Sequence, residues 1–116
     1  MNKTIVISIV LSGLLLTSCL KKVAEKPPCF DDVSYSQFIK PEIIDQYCIA
    51  CHGETPAGNT VMLTTHELVS QNASAILTTI SLDSVDALSM PYFQSNLNDT
   101  LIEDFRCWLN QGKLNN

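Results

Sequence analysis

The sequence predicts a small all-α domain, and three observations support that class. The last segment of the chain carries apolar residues at helical spacing, with Leu101, Phe105 and Trp108 on one face. Two earlier stretches, residues 41–52 and 65–82, also place apolar residues three or four positions apart. Alternating apolar and polar residues, which indicate strands, are nearly absent. The chain has 116 residues, and the part that follows the N-terminal segment described below suffices for one such domain.

The first 28 residues predict an export signal and a tether. Residues 1–18 have a cationic start, an apolar run too short for an ordinary spanning helix, and small residues before Cys19. Leu16–Cys19 resembles a bacterial lipobox, which implies cleavage before Cys19 and a diacylglycerol on its thiol. An ordinary signal peptide and a retained N-terminal anchor are the alternatives. Residues 19–28 end in Pro-Pro and predict an extended lipid-anchored tether. We therefore expect an exported bacterial lipoprotein, anchored to a membrane and periplasmic or at the cell surface.

Residues 29–116 should form the folded domain, and its first helix leads into a cysteine pair. Pro41 suits the first turn of a helix, since its missing N–H needs no partner there. Ile43, Ile44 and Tyr47 give that helix an apolar stripe ending at Cys48. The preceding residues 33–39 predict an extended entry or a single turn. The turn-rich residues 53–59 predict a loop.

The second half of the domain predicts further helices around a long loop. Thr65 is a suitable N-cap for a short helix over 66–70, with a second helix over 72–82. Residues 84–98, which contain Met90 and Pro91, predict a loop. The final helix should be capped by Asn98 or Asp99 and end before Gly112.

The most informative motif is C-I-A-C-H at Cys48, Cys51 and His52. Its spacing is that of covalent c-type haem attachment, in which two thiols add across the haem vinyl groups and the imidazole binds the iron. Residues three apart share a helix face, so both sulfurs reach one porphyrin edge. A thiol–disulfide enzyme would need a βαβ pattern that is missing. A metal-binding module would have to recruit His66 at an unusual spacing.

An electron-transfer haem needs a second axial ligand, and three residues are candidates. Met90 fits best, because a thioether suits haem iron and Pro91 stiffens its loop. Met62 and His66 follow His52 so closely that the chain would have to pass around the haem edge at once. We expect Met62 to be a core methionine and His66 a polar residue near a helix start.

With these residues in view, the chain resembles a small monohaem c-type cytochrome with His/Met ligation, class I-like and of the bacterial lipid-anchored kind. The resemblance rests on residues 48–52, on Met90–Pro91, and on the closing helix with Trp108 and Gly112. It implies a cytochrome c-like helical fold wrapped around one covalently attached haem c, with iron held by His52 and Met90. It also implies one-electron transfer between membrane-associated partners and no enzymatic role. The alternative is a haem-based sensor or peroxidase-like enzyme with an open axial site.

Two further expectations follow the resemblance. The family's Gly-Pro, whose carbonyl orients the haem histidine, is missing, and residues 62–65 stand in its place; the partner of the His52 ring is therefore unassigned. Cys29 and Cys107 should form a disulfide in an oxidising compartment, because the first and last helices of the family cross. Two separate buried thiols, or pairing with a partner, are the alternatives.

The charge of the domain restricts its partners. Residues 29–116 hold only Lys40, Arg106 and Lys113 against eleven acids, a formal charge of −8. Such a surface argues against nucleic acid and favours redox-partner proteins with basic docking surfaces. The membrane is the other expected partner, reached through the N-terminal lipid.

Overall fold

The computed structural model describes Cys29, residues 31–58 and residues 60–116. The predicted signal peptide, the tether and the lipidation site at Cys19 lie outside these residues. The described residues form helices and no strand, which confirms the all-α class. The elements are α1 (Tyr35–Cys48), α2 (Ile49–His52), α3 (His66–Ile80) and α4 (Asp99–Asn110). Since α2 continues α1 without a break, the globule consists of three helices.

Helix α1 begins earlier than the sequence predicted. The Ser34 hydroxyl accepts a hydrogen bond from the Gln37 N–H at 3.2 Å and caps the first turn. The expectation that Pro41 opens the helix is wrong, because Ile39 is fully buried and extends the apolar face upstream of it. The helix is of the wide π type, and the Ile39 N–H donates to the Ser34 carbonyl at 3.1 Å, five residues back.

Helix α3 is one element, and the prediction of two helices there is wrong. Thr65 is its N-cap, as predicted, since its hydroxyl accepts from the Leu68 N–H at 3.3 Å. Neither glycine nor proline interrupts the segment, and one buried face continues past the expected break. Its buried residues are Val69, Ala73, Ile76 and Ile80. Tertiary burial of this continuous stripe holds the helix together.

Helix α4 begins and ends as predicted and completes the core. The Asn98 side chain accepts from the Leu101 N–H at 2.9 Å, and Gly112 lies beyond the helix end at φ +96°. Trp108 is fully buried, and its ring centroid lies 5.6 Å from that of Tyr35 in α1. Helix α4 thereby packs against the start of α1.

A covalent bond reinforces the same end of the globule. Cys29 and Cys107 are joined as a disulfide, with Cα atoms 5.5 Å apart. This is the pairing that the sequence favoured. The bond attaches the first described residue to α4, close to where Gln111 donates a hydrogen bond to the Asp31 carbonyl at 2.7 Å.

Residues 82–98 connect α3 to α4 without a regular helix, as the sequence predicted for 84–98. The loop is fastened to the end of α3, because the Met90 N–H donates to the Thr79 carbonyl at 3.1 Å. The Asn96 side chain donates to the Leu82 carbonyl at 3.1 Å. These bonds bring the middle of the loop back over α3.

None of the helices in the described part of the chain is long and apolar enough to cross a membrane.

Candidate functional site

A cavity of about 520 Å³ opens between α2, α3 and the 82–98 loop. Its volume lies within the range of roughly 300–1,000 Å³ that ligand and cofactor pockets occupy. Cys48, Cys51, His52 and Met90 all line it. Much of the remaining wall is apolar and includes Leu63, Ala75, Ile76, Ile80, Pro91 and Leu97. The four residues that the sequence singled out for one cofactor therefore share one cavity.

The imidazole of His52 is oriented by a hydrogen bond to a backbone carbonyl. Its Nδ1 lies 2.7 Å from the Val61 carbonyl oxygen. Because a carbonyl only accepts, Nδ1 must carry the proton, and Nε2 keeps its lone pair for a ligand. The Leu63 N–H in turn donates to the His52 carbonyl at 2.8 Å. Val61 is thus the ring partner that the sequence left unassigned, and it fixes both the tautomer and the ring orientation.

Residue type could not have revealed this partner. The bond uses a backbone carbonyl, which every residue has, and Val61 follows His52 by nine positions. The loop between them closes on itself, since the Ala57 N–H donates to the Cys51 carbonyl at 3.0 Å. The only sequence signal is the turn-rich composition of residues 53–59, which predicts the loop and leaves open where it returns.

Cys48 and Cys51 stand at the junction of α1 and α2 as two separate thiols. Cys48 is half-buried, with its sulfur 3.7 Å from the Ile43 carbonyl oxygen, whereas Cys51 is exposed. Burial raises the pKa of the Cys48 thiol to about 11, and the negative charge of Asp45 adds to the shift. Thiol–disulfide enzymes activate their C-x-x-C cysteine by the opposite shift, to a lowered pKa. The environment of Cys48 therefore does not suit that chemistry.

Met90 reaches the cavity from the other half of the chain. Its side chain is half-buried, and its N–H is bound to Thr79 at the end of α3. Pro91 and Ser89 on either side are buried. The Ser89 hydroxyl donates to the Leu82 carbonyl at 3.3 Å, which ties the loop down beside Met90.

The other two ligand candidates lie outside the cavity. Met62 is 42% exposed, so the expectation that it packs in the core is wrong. Its neighbour Leu63, which is 3% exposed, takes the core position within residues 61–63, which we call the strap. His66 packs edge-on against the rings of Tyr35 and Trp108, with centroids 4.7 and 5.9 Å away. Its Nε2 lies 2.8 Å from the Lys113 carbonyl oxygen, and it is the first residue of α3, which confirms the expectation of a polar residue near a helix start.

The geometry also bears on a simple metal site. Among the residues that the structure describes, no three His, Cys, Asp or Glu side chains are grouped to hold a metal ion. The set of Cys48, Cys51, His52 and His66 that such a module would need is not assembled, because His66 is engaged at the α1–α4 contact.

The described lining of the cavity is largely apolar and contains one imidazole, that of His52. Neither lysine, arginine, aspartate nor glutamate contributes to the described wall. Polar side chains are few there, with Tyr47, Asn72 and Gln94 among them. The wall therefore offers mostly carbon atoms, together with the sulfur atoms of Cys48, Cys51 and Met90 and the imidazole of His52.

The chain matches no protein-family model, no curated protein and no solved structure in the comparisons. The function must therefore be argued from its own residues and from this cavity.

Proposed function

We propose that residues 29–116 bind one haem c covalently and act as a one-electron carrier. The observation that carries this proposal is that Cys48, Cys51, His52 and Met90 line one largely apolar cavity. Two thiols and an imidazole come from one short segment, and a thioether comes from a segment almost forty residues later. That donor set fits haem c, for which an apolar pocket, two thioether attachments and two axial ligands are needed.

Each residue has a distinct task in this proposal. Cys48 and Cys51 would carry the thioether bonds, His52 would bind iron through Nε2, and Met90 would supply the second axial ligand. When bound, the haem exchanges one electron between its ferrous and ferric forms without making or breaking bonds. The hydrogen bond to the Val61 carbonyl would orient the His52 ring for that role. With His52 and Met90 both holding the iron, the haem would offer no open site to a substrate, which favours an electron carrier over a haem enzyme.

The fold proposed to go with this function is a cytochrome c-like arrangement around the cofactor. Supporting it are the contact between the first and last helices at Tyr35 and Trp108 and the long loop that brings Met90 back over α3. The apolar wall excludes water, and burial of the iron is one means by which a protein sets its reduction potential.

We further propose that the domain works outside the cytoplasm as a lipoprotein. The support is the sequence of residues 1–19, and the Cys29–Cys107 disulfide suits an oxidising compartment. Mass spectrometry of the processed protein should find residues 1–18 removed and acyl chains on Cys19, and Cys19→Ala should block that processing. A mature N-terminus elsewhere without lipid would refute this part, while leaving the haem proposal intact.

The direct test is haem retention. Protein made with a cytochrome c maturation system should keep its haem through acid–acetone extraction and denaturing electrophoresis. Cys48→Ser/Cys51→Ser should lose it entirely, whereas Met62→Ala should retain it as the matched control. Complete extraction of haem from the wild-type protein would overturn the proposal.

A further inference from the structure

The 82–98 loop exposes an apolar surface that the fold does not use. Val85 and Phe93 are each 92% exposed, and Leu88 and Tyr92 are also exposed. We call these four side chains the distal patch. Single exposed apolar side chains are ordinary on a protein surface, whereas a contiguous group of them marks a contact site. Val85, Tyr92 and Phe93 lie together, because all three line one small surface cavity.

The backbone holds this patch outward. Phe93 lies at φ +60°, in the left-handed region that bulky residues rarely occupy. Its ring packs against that of Tyr92 at an interplanar angle of 51°, with centroids 4.0 Å apart, and contributes nothing to the core. A conformation that costs free energy and presents an aromatic ring to solvent is typical of functional loops.

The distal patch adjoins the candidate haem cavity. Tyr92 belongs to both the patch and the cavity, since it lines the cavity and its ring packs against that of Phe93. Ala87 and Pro91, which lie between the patch residues along the chain, also line the cavity. A protein seated on the patch would therefore lie beside the wall that carries Met90, so a short electron path could run through this loop.

Charge identifies the kind of occupant. Asp83 and Asp86 lie in the same loop and are exposed, and the chain has no lysine or arginine between Lys40 and Arg106. Lys40 pairs with Asp45 at 2.7 Å, away from the loop. A basic partner is attracted to this face at long range, whereas the anionic surface of a bilayer is repelled.

We propose that the distal patch docks a basic redox-partner protein, with Phe93 at the apolar centre and with Asp83 and Asp86 facing lysines or arginines at the rim. This inference rests on the proposed electron-carrier function and specifies its docking face. Electron-transfer encounters use small interfaces, so a few exposed side chains can dominate them.

The test uses the haem-loaded protein and a lysine-rich cytochrome c as a basic, redox-active probe. Stopped-flow absorbance gives the rate of electron transfer between them, and calorimetry on the fully oxidised pair gives the affinity at low salt. Phe93→Asn introduces a residue that tolerates the left-handed backbone conformation. It should lower both the affinity for the probe and the second-order rate of electron transfer about tenfold, a typical aromatic hot-spot effect. Leu114→Asn, at a half-exposed leucine outside the patch, should change neither.

A charge-matched pair of variants tests the rim. Asp83→Asn/Asp86→Asn should slow the reaction at low salt several-fold more than Asp31→Asn/Asp32→Asn. The second pair removes the same charge from the N-terminal start of the domain, outside the loop. Asparagine at 86 keeps the oxygen that accepts from the Leu88 N–H at 2.8 Å. Equal effects of the two double variants, together with an unchanged Phe93→Asn, would overturn the proposal.

Two controls distinguish a protein-docking face from a missing haem and from a membrane-binding loop. Oxidation by ferricyanide needs no docking surface, so it should be equally fast in all variants; a wild-type protein without reducible haem would refute the electron-carrier proposal rather than the docking face. Sedimentation with phosphatidylcholine–phosphatidylglycerol vesicles should leave the unlipidated protein in solution. Vesicle binding that Phe93→Asn abolishes would overturn the protein partner and identify a membrane-binding loop.

Discussion

The two sides of the cavity are built in different ways. On the side of His52, the ligand and its support lie close together in the chain, and the Val61 and Leu63 backbone brackets the histidine within eleven residues. On the side of Met90, support comes from Thr79 and Leu82 across a loop. The first side is local, with one hydrogen bond to the ring of His52 and one to its backbone carbonyl, whereas the second depends on tertiary packing. We expect the Met90 side to open first.

The same contrast explains what the sequence could predict. The C-x-x-C-H motif can be recognised in the sequence because its spacing lies within five residues. The caps at Thr65 and Asn98 can be predicted because each acts within one helical turn. The start of α1 was missed, because Pro41 signals a first turn locally while burial of Ile39 extends the helix. Long-range placement, such as Met90 over Thr79, leaves no local signature and follows only from the packed fold.

The largest expected contrast is between the two proposed axial ligands, His52 and Met90. His52→Ala would remove the proposed ligand on the locally supported side, so we expect little stable haem-loaded protein. Met90→Ala should keep covalent haem, because both thioether bonds remain, but lose the weak far-red charge-transfer band of ferric His/Met haem. Its ferrous form should bind CO, and its reduction potential should fall, since a thioether favours ferrous iron. Visible spectra and redox titration measure all of these.

The controls for that experiment are the ligand candidates that lie outside the cavity. Met62→Ala and His66→Ala should both keep the charge-transfer band. If His66→Ala alone opens the iron, the ligation is bis-His and the assignment of Met90 is wrong. Rapid CO binding by the wild-type ferrous protein would instead favour the sensor or enzyme alternative.

The second prediction concerns the disulfide, which lies outside both sides of the cavity. Cys29→Ser/Cys107→Ser should lower the free energy of unfolding by up to about 4 kcal/mol, since the bond closes a loop with a sequence separation of 78. The charge-transfer band should persist, because neither residue lines the cavity. Denaturant titration gives the first quantity and the ferric spectrum the second. Two alkylatable thiols in the oxidised wild-type protein would show that the bond does not form.

The third prediction compares a leucine from each side. Leu63 is 3% exposed and lies in the strap behind His52, so Leu63→Ala should destabilise the domain by about 2–4 kcal/mol. Leu88, on the Met90 side, is 68% exposed, and Leu88→Ala should stay within about 0.5 kcal/mol of wild type. Denaturant unfolding of the haem-loaded proteins measures both. Similar losses for the two variants would mean that the loop is packed as firmly as the strap.

The smallest expected effect tests the contrast most directly. Ser89 is buried beside Met90, and its hydroxyl donates to the Leu82 carbonyl. Ser89→Ala should cost only about 1 kcal/mol in global stability, as expected for one hydrogen bond. The Asn96 side chain still donates to the same carbonyl, so the loop stays in place most of the time. Local opening of the 82–98 loop, however, depends on only a few hydrogen bonds. The population of molecules with this loop open should therefore rise severalfold.

Under the proposed ligation, CO would bind the ferrous iron only when Met90 leaves it, so the rate of CO binding would report that opening. Ser89→Ala should therefore bind CO several times faster than wild type at nearly unchanged unfolding free energy. Ser81→Ala is the matched control, since its hydroxyl donates to the Leu77 carbonyl within the last turn of α3 and does not touch the loop. If both serine variants bind CO at the wild-type rate, the loop is not released through Ser89. If CO binding accelerates only in proportion to global unfolding, the two sides of the cavity open together and the contrast between them fails.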